Sequence, residues 1–304
     1  MSKDIHSVGV IGLGAMGMGV AQSLLRGGFE VHAFDIRREA VDKVAAGGGY
    51  AADSPAALAK KIDAVVVLVI NADQTETVLF GEDGAAASLA PGSVVIASAT
   101  VSPEFARALG KRLAGMGLLM IDGPVSGGAA KAASGEMTIM ASGAVEAFAR
   151  CEGVLKAIAG KVYRLGDEPG PGSVVKMVNQ LLAGVHIAAA GEAMALAIRS
   201  GADPDRTYEV IANSAGSSWM FQNRVPHILA GDYTPLSAVN IFVKDLGIVL
   251  DAARKMTFPL PLTATAHQMF LAASAHGHGG EDDSAVVKVF AALAGLDLPE
   301  KKKG

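Results

Sequence analysis

Three glycines directly after a β-branched run constrain the fold of this chain more than any other feature of its sequence. The run Ser7 to Ile11 is typical of a buried strand, and Gly12-Leu13-Gly14-Ala15-Met16-Gly17 follows it with the spacing GxGxxG. In such a set the first glycine permits a tight turn, the second lets a ligand approach the backbone, and the third allows a helix to pack closely on the strand. We therefore predict a strand, a turn and a helix whose N-terminus faces a pyrophosphate.

From residue 7 to about 165, short β-branched runs alternate with amphipathic helical stretches, which is the pattern of a parallel sheet covered by helices. The predicted strands are Ser7 to Ile11, Glu30 to Phe34, Ala64 to Val69, Val94 to Ala97, Leu118 to Ile121, Met137 to Ala141 and Val162 to Leu165. The Gly- and Pro-rich segment 166–172 indicates a hinge, and a helix roughly 40 Å long is predicted from Ser173 to Ser200. Only helical patterns follow, at about 204–214, 218–230, 240–256, 260–275 and 284–295.

These patterns predict an α/β protein with an N-terminal Rossmann-type doubly wound sheet, a long connecting helix and an all-α C-terminal domain. We place the dinucleotide-binding domain at residues 1–166 and the helical domain, for substrate binding and oligomerisation, at residues 167–304. The length of 304 residues suits about two domains, and 51% hydrophobic residues are enough to bury their cores.

The residue at the end of the second predicted strand indicates which dinucleotide binds. Asp35 lies about 20 residues after the glycine turn, where a carboxylate accepts hydrogen bonds from the adenosine ribose hydroxyls and repels a 2′-phosphate. We therefore expect the cofactor to be NAD. Arg37 and Arg38 follow directly and leave open the alternatives that Asp35 only caps the strand or that a 2′-phosphate is accepted.

Composition argues against several classes of protein. The chain has 26 basic and 30 acidic residues, a formal net charge of −4 and no basic block before Lys301 to Lys303, so we expect no nucleic-acid partner. Cys151 is the only cysteine, and the N-terminus lacks the pattern of a signal peptide, so we expect a cytoplasmic protein. His186 and Glu192 interrupt the longest apolar stretch, which we interpret as a buried helix and not a membrane span.

A second glycine-rich loop follows the predicted strand Leu118 to Ile121. It is Asp122-Gly123-Pro124-Val125-Ser126-Gly127-Gly128, at the carboxyl edge where open α/β sheets bind ligands. Two adjacent glycines after a serine expose backbone N–H groups that suit a carboxylate. An ordinary tight loop explains this segment equally well when it is taken alone.

Four stretches together resemble the motifs of the 3-hydroxyacid dehydrogenase family, which includes the 3-hydroxyisobutyrate dehydrogenases. They are GLGAMGMGVAQSL at 12–24, the DGPVSGG loop at 122–128, GPGSVVKMVNQLL at 170–182 and the KDL element at 244–246. The resemblance extends over nearly the whole chain, and further stretches are similar to the subgroup that acts on four-carbon sugar acids. Lys131 stands where other branches of the family usually have a glycine, and this departure is a mark of the subgroup. Ile70 is a separate departure, because many family members have a proline there.

The resemblance implies roles for individual residues. It implies that Ser126, Gly127, Gly128 and Lys131 bind the substrate and that Lys176 and Asn179 are catalytic. The cofactor-binding residues that the glycine turn and the resemblance together imply are Gly12, Leu13, Gly14, Ala15, Met16, Gly17, Asp35, Val69, Ile70, Thr100 and Lys244. Lys244 has an alternative interpretation as the partner of an exposed aspartate on its own helix.

Oxidation of a secondary alcohol needs a hydride acceptor, a base and groups that orient the substrate. Lys176 lies in the first turn of the long predicted helix, where the positive helix dipole and partial burial lower the pKa of an amine. Asn179 is three residues further on the same face, where it can bond the substrate hydroxyl beside Lys176. A lysine in a first turn is otherwise usually a solvated surface charge.

We expect no metal site. The histidines and carboxylates at 276–283 have no zinc-ligand spacing, and Asp283-Ser284 is instead typical of a helix cap. We expect His186, on an apolar helix, to be a hydrogen-bonded core residue.

The expected function is NAD-dependent oxidation of a small hydroxy acid. We expect the enzyme to be a homo-oligomer, either a dimer or a tetramer, and not to bind a membrane. The first candidate substrate is a four-carbon sugar acid, L-threonate, oxidised at C2, provided that Lys131 and the run Ser218 to Asn223 line the cleft. The alternatives are 3-hydroxyisobutyrate or tartronate semialdehyde chemistry and, in another class, a non-catalytic dinucleotide-binding regulator. An imine reductase is disfavoured because Lys176 is retained.

Overall fold

The computed structural model of this protein describes residues 5–301, which divide into two compact units. The first unit ends at Lys176 and the second begins at Met177. This division lies inside a long helix, further along the chain than the boundary at Gly166 that we expected. The expected limits of the two domains stay a prediction.

The first unit is built on one mixed sheet. Its strands are β1 (Ser7–Ile11), β2 (Glu30–Phe34), β3 (Tyr50–Ala51), β4 (Ala64–Val67), β5 (Val94–Ala97), β6 (Leu119–Asp122), β7 (Val125–Ser126), β8 (Met137–Gly143) and β9 (Ala159–Arg164). Their order is β3-β2-β1-β4-β5-β6-β8-β7, with β9 paired to β8. The strands from β3 to β6 are parallel, β8 is antiparallel to β6 and β7, and β9 is parallel to β8.

Alternate residues of the central strands enter two separate apolar cores. Val66 and Ile96 belong to the core on one face, whereas Val65 and Val95 belong to the core on the other face. Successive side chains of a strand point to opposite faces, so a strand covered on both faces is apolar throughout. The predicted doubly wound Rossmann-type sheet is therefore confirmed.

Helices cover both faces of this sheet. They are α1 (Ala15–Arg26), α2 (Arg38–Ala46), α3 (Pro55–Ala59), α4 (Ala72–Phe80), α5 (Pro103–Ala114), α6 (Gly128–Ser134), α7 (Val145–Arg150) and α8 (Glu152–Ile158). Leu24 of α1 and Ile158 of α8 pack in one core, and Leu58 of α3 and Leu109 of α5 pack in the other. The two-residue strands β3 and β7 were not predicted, because two residues are too few to show a period.

The long helix α9 (Pro171–Arg199) has 29 residues and begins two residues before the predicted Ser173. Its most apolar segment of 18 residues has a mean hydropathy of 1.8, so the helix is long and apolar enough to cross a membrane by length and composition alone. However, 44% of that segment is buried inside the protein. A core helix of a soluble protein passes the same test, so this is weak evidence for a span. The prediction of a buried helix is only partly correct, since Leu182 is 48% exposed and Leu196 is 66% exposed.

The second unit consists of helices, and within residues 177–301 no strand is defined beyond a single bridge between Ala238 and Asp282. The helices after α9 are α10 (Pro204–Ala212), α11 (Trp219–Ala230), α12 (Val239–Lys255), α13 (Pro261–Ala273) and α14 (Val287–Ala294). A 3₁₀ turn, Asp283–Val286, precedes α14. Apolar residues of α9, α12, α13 and α14 form its main core.

A buried ion pair ties α11 to the 3₁₀ turn before α14. Arg224 donates from Nε to Asp283 Oδ1 at 2.5 Å and from Nη2 to Oδ2 at 3.1 Å. Burial raises the pKa of the Asp283 carboxyl to about 6, while the bonds and charge of Arg224 oppose that rise. The carboxyl is therefore ionised above pH 6 and depends on Arg224 for compensation of its charge.

We expect Arg224→Ala to lower the free energy of unfolding at pH 8 by about 3–5 kcal/mol, because it leaves a buried carboxylate without its cation. At pH 5 the loss should be smaller, because protonation removes the charge. Fluorescence of Trp219, the single tryptophan and a residue of α11, reports denaturant unfolding of this unit.

The matched control is Arg254→Ala. Arg254 pairs with Asp251 of the same unit at 3.2 Å, and its side chain is 78% exposed. Exposed pairs contribute at most about 1 kcal/mol. Equal losses for the two variants at pH 8 would contradict the assigned role of Arg224.

Candidate active site

The glycine turn between β1 and α1 has the geometry of a dinucleotide site. Gly12 has φ +90°, and a Cβ there would lie 2.6 Å from Leu68 O, whereas a Cβ on Gly17 would lie 1.8 Å from Gly12 O. The fold therefore requires glycine at both positions. A Cβ on Gly14 would meet nothing within 4 Å, so the backbone faces open space beside the N-terminus of α1. These residues fit a bound pyrophosphate, whose charge the helix N-terminus stabilises.

The carboxylate of Asp35, directly after β2, bonds to this turn. Leu13 N–H donates to Asp35 Oδ2 at 2.6 Å, and the backbone N–H of Arg37 donates to Oδ1 at 2.8 Å. Arg37 also donates from Nε to Asp35 Oδ1 at 3.2 Å and from Nη2 to Leu13 O at 3.0 Å. Burial raises the pKa of Asp35, but the bonds from Arg37 and Leu13 outweigh it, so the pKa lies below its ordinary value. The carboxylate is thus ionised and held at the glycine turn.

Further predicted cofactor residues lie after β4 and β5, at the same carboxyl edge of the sheet. Val69 and Ile70 follow β4, and Thr100 follows β5. The N–H of Ile70 donates to Gln74 Oε1 at 2.9 Å, a bond that a proline at this position could not make. This bond gives a physical reason why isoleucine suits this loop, and its side chain is 54% exposed.

The glycine-rich loop after β6 needs glycine at both expected positions. Gly127 has φ +132° and Gly128 has φ +74°, a region that other residues rarely adopt. A Cβ on Gly127 would lie 2.9 Å from Cβ and Cδ of Lys131, so the exposed Lys131 passes directly beside the loop. Ser126 lies in β7, directly before Gly127. The structure therefore brings together the four predicted substrate-binding residues, Ser126, Gly127, Gly128 and Lys131.

Lys176 is buried beside the same loop. Its side chain is 7% exposed, and Nζ donates to Val125 O at 2.8 Å. A solvated surface charge is therefore excluded. We predicted Lys176 in the first turn of this helix, but because α9 begins at Pro171, Lys176 lies in the second turn. The residue before the expected carboxylate-binding serine thus holds the predicted base.

In the second unit, polar contacts connect both Asn179 and Lys244 to Asp245. Asn179 Nδ2 donates to Gln180 Oε1 at 2.9 Å, and Gln180 Nε2 donates to Asp245 Oδ2 at 2.5 Å. Lys244 Nζ lies 2.5 Å from Asp245 Oδ1. Lys244 therefore does pair with an aspartate of its own helix, as the alternative interpretation held. That aspartate, Asp245, is buried and not exposed as expected.

Sequence analysis did not identify Gln180 and Asp245. Both are buried polar side chains on largely apolar helices, and buried polar groups need partners. That pattern is visible in the sequence only after the buried face of each helix is known, which explains why they were missed.

The residues at 276–283 have structural contacts. His278 Nδ1 lies 3.1 Å from Glu281 Oε1, Asp283 pairs with Arg224, and Ser284 N–H donates to Asp282 Oδ1 at 3.1 Å. The cap is therefore Asp282 and not the predicted Asp283. Within residues 5–301, no group of three or more His, Cys, Asp or Glu residues is arranged to hold a metal ion.

A cavity of about 450 Å³ lies within the helical unit. Its lining includes His186, Met194, Ser218 and Phe221. His186 is ten residues beyond Lys176 on α9, roughly 15 Å along the axis at 1.5 Å per residue. His186 is half-buried and borders this cavity, so the prediction that it is a core residue is wrong. Contact of the run Ser218 to Asn223 with the substrate stays a prediction.

Comparison with known proteins agrees with this geometry. The family model for the NAD binding domain of 6-phosphogluconate dehydrogenase matches residues 7–166. A second, for the NAD-binding domain of NADP-dependent 3-hydroxyisobutyrate dehydrogenase, matches residues 170–290. The first of these matches more than half of the chain and includes the glycine turn and the Ser126 loop.

Similar proteins match over nearly their full length. L-threonate dehydrogenase of Cupriavidus necator is 67% identical, covering 97% of this chain and 99% of that protein, and L-threonate dehydrogenase of Escherichia coli is 54% identical, covering 99% and 98%. Among solved structures, the crystal structure of 3-hydroxyisobutyrate dehydrogenase from Salmonella typhimurium superposes on this chain with a TM-score of 0.89. The two sequences are 53% identical, and the match covers 93% of this chain and 99% of the Salmonella chain. The chain therefore belongs to the 3-hydroxyacid dehydrogenase family and is a hydroxyacid dehydrogenase that uses a nicotinamide dinucleotide.

Proposed function

We propose that this enzyme oxidises L-threonate at C2 to the 2-keto acid with NAD, using Lys176 as the acid/base. The observation that carries the catalytic part is the buried Lys176 Nζ held 2.8 Å from Val125 O, next to Ser126. A buried lysine beside a glycine-rich loop at the carboxyl edge of a sheet is in the place where such sheets bind ligands.

The Ser126 loop binds the substrate carboxylate in this proposal. Ser126 supplies a hydroxyl, and the backbone of Gly127 and Gly128 supplies N–H groups without side chains in the way. Lys131, whose stem passes beside Gly127, adds a positive charge or a donor for a further hydroxyl. These contacts orient C2 and its hydroxyl relative to Lys176.

Lys176 takes the proton of the C2 hydroxyl, and its bond to Val125 O fixes where Nζ lies during that transfer. A bound NAD would supply the hydride acceptor for C2. In the reverse direction the ammonium of Lys176 returns the proton to the carbonyl oxygen. Asn179, one turn further on α9, is proposed to bond the reacting hydroxyl, and its own bond to Gln180 limits its rotation.

The glycine turn, Gly12 to Gly17, is proposed to hold the pyrophosphate, and Val69, Ile70, Thr100 and Lys244 the nicotinamide side. Preference for NAD over NADP follows from Asp35, which is ionised and therefore repels a 2′-phosphate. Arg37 is engaged by Asp35 and Leu13 O, so its charge is already compensated.

The choice of L-threonate rests on the similar proteins of that name at 67% and 54% identity. Lys131 supports it through its position, because its stem passes beside Gly127 and its amine is a donor that a further substrate hydroxyl can use. Oxidation of 3-hydroxyisobutyrate is the second candidate, favoured by the name of the Salmonella protein at 53% identity. We further propose that the enzyme is a cytoplasmic homo-oligomer, with Leu182 and Leu196 among the exposed apolar residues that association would cover.

We expect Lys176→Ala to lower kcat by at least about a hundredfold, the usual contribution of a positioned acid/base, while the Kd for NAD stays within about twofold. Steady-state kinetics and isothermal calorimetry measure the two quantities. Lys156→Ala is the control, since Lys156 belongs to the same unit, its side chain is 75% exposed and it pairs with Glu152 of its own helix. Near wild-type turnover in Lys176→Ala would show that another group is the base.

Asp35→Ala is expected to raise the KM for NAD about tenfold, the cost of one or two lost hydrogen bonds, and to narrow the preference over NADP. The comparison is kcat/KM with each cofactor. Asp53→Ala is the control, because Asp53 is a 93% exposed carboxylate close to Arg38. A wild-type enzyme that prefers NADP would refute the role of Asp35.

The substrate assignment predicts the highest kcat/KM for L-threonate among L-threonate, D-threonate, D-erythronate, D-glycerate and 3-hydroxyisobutyrate. Loss of contacts to the additional hydroxyl should cost the three-carbon-chain acids several powers of ten. The assay is NADH formation at saturating NAD. A clear preference for D-glycerate or 3-hydroxyisobutyrate would reject the four-carbon assignment but leave Lys176 as the base.

A further inference from the structure

The carboxylate of Asp122, the last residue of β6, faces the start of α9. Asp122 is 1% exposed. Its Oδ2 accepts from the N–H groups of Gly170 and Ser173, each at 2.9 Å, and its Oδ1 accepts from Ser173 Oγ at 2.7 Å. One buried carboxylate therefore binds the beginning of the helix three times.

Ser142 of β8 completes the set. It is paired with Asp122 across the antiparallel β6–β8 ladder, donates to Asp122 Oδ2 at 3.3 Å and accepts from Gly172 N–H at 3.0 Å. The first amides of a helix have no acceptor within the helix, and Pro171 has no N–H at all. The amides of Gly170, Gly172 and Ser173 are thus all satisfied by two side chains from the sheet edge.

The helix start lies directly against the two strands. A Cβ on Gly172 would lie 2.5 Å from Met140 O and 2.6 Å from Asp122 O, so no larger residue fits there. Any shift of this turn toward the sheet would produce a clash, and any shift away would break the bonds to Asp122. The position of the first turn of α9 is therefore determined on both sides.

Lys176 follows Ser173 by three residues on this helix, and its Nζ bonds to Val125 O, three residues after Asp122. The short segment from Asp122 to Val125 therefore holds α9 at two points, the first turn and the lysine. Ser126, the proposed carboxylate ligand, is the next residue. The same segment thus sets the distance between the proposed base and the proposed substrate loop.

We propose that Asp122 is a positioning residue for the reaction, which acts by holding the first turn of α9 so that Lys176 Nζ stays at Val125 O beside Ser126. This inference rests on the proposed role of Lys176 as acid/base. A carboxylate suits this place because its two charged oxygens accept from all four donors at once. An amide has one neutral accepting oxygen, which is a weaker acceptor for the two backbone N–H groups, and its NH₂ group forces the bond with Ser173 Oγ to reverse. The donors are neutral, and the positive end of the helix dipole stabilises the charge.

The test is Asp122→Asn, with Asp63→Asn as the control. Asp63 accepts from Ser7 Oγ at 3.2 Å and precedes β4, at the opposite edge of the same sheet. We expect Asp122→Asn to lower kcat about ten- to a hundredfold, since a misplacement of about 1 Å has this effect, while KM and the Kd for NADH change less than threefold. The primary deuterium isotope effect on kcat, with substrate labelled at C2, should increase. Asp63→Asn should leave kcat within about twofold.

A double-mutant cycle with Lys176→Ala separates positioning from a general effect on the fold. If Asp122 acts through Lys176, Asp122→Asn should change the residual kcat of Lys176→Ala less than twofold. An equal loss of kcat in both backgrounds, or an effect on stability alone, would overturn the proposal. Ser173→Ala, which keeps both backbone bonds to Asp122, replaces Asp122→Asn in the cycle if that variant does not fold.

Amide hydrogen exchange gives a readout without turnover. Exchange in the peptide that covers 170–176 should be faster in Asp122→Asn and unchanged in Asp63→Asn, because only the former replaces the charged acceptor of the Gly170 and Ser173 amides with a weaker, neutral one. Unchanged exchange in Asp122→Asn would also overturn the proposal. The kinetic cycle uses the acid that the wild-type enzyme oxidises fastest, so a wrong substrate assignment does not affect it. Full turnover in Lys176→Ala alone would reject both the proposed base and the positioning role.

Discussion

Parallel pairing of β1, β2, β4, β5 and β6 is the constraint on which the site depends, because it places the carboxyl ends of these strands at one edge of the sheet. Each strand is followed there by a residue or loop with a proposed role in binding. The glycine turn follows β1, Asp35 follows β2, and the Ser126 loop follows β6. Their proximity comes from the register of the sheet, so apolar residues such as Val66 and Ile96, which fix that register, also determine where the polar groups lie.

Burial of polar groups at this edge is tolerated because each is provided with hydrogen bonds. The Asp35 carboxylate accepts from Leu13 and Arg37, that of Asp122 from Gly170 and Ser173, and Lys176 donates to Val125 O. An unpaired polar group in such a place would cost roughly 1–3 kcal/mol, and an unpaired charge more. These bonds also restrict where the side chains can lie, and restricted geometry is what proton transfer and substrate orientation need.

The structure agrees with the sequence most closely where a feature depends on neighbouring residues. The bounds of β1, β2 and β5 match the prediction at both ends, since a β-branched run and a following glycine or loop are local signals. The start of α9 was predicted two residues late, because its acceptors, Asp122 and Ser142, are remote in the chain. Gln180 and Asp245 were not identified for a similar reason, because they are 65 residues apart in the sequence and lie on two different helices.

Sequence alone determined the dinucleotide turn, since steric limits on φ and on Cβ packing permit only glycine at Gly12 and Gly17. It also determined the family, through motifs that keep their order along the chain. Only the tertiary structure decided that Lys176 is buried and bonded to Val125, and that Asp122 holds the helix that carries it. These contacts join residues 51 apart, and no local periodicity encodes which remote carboxylate will meet a helix N-terminus, because that depends on how the sheet and the helix pack together.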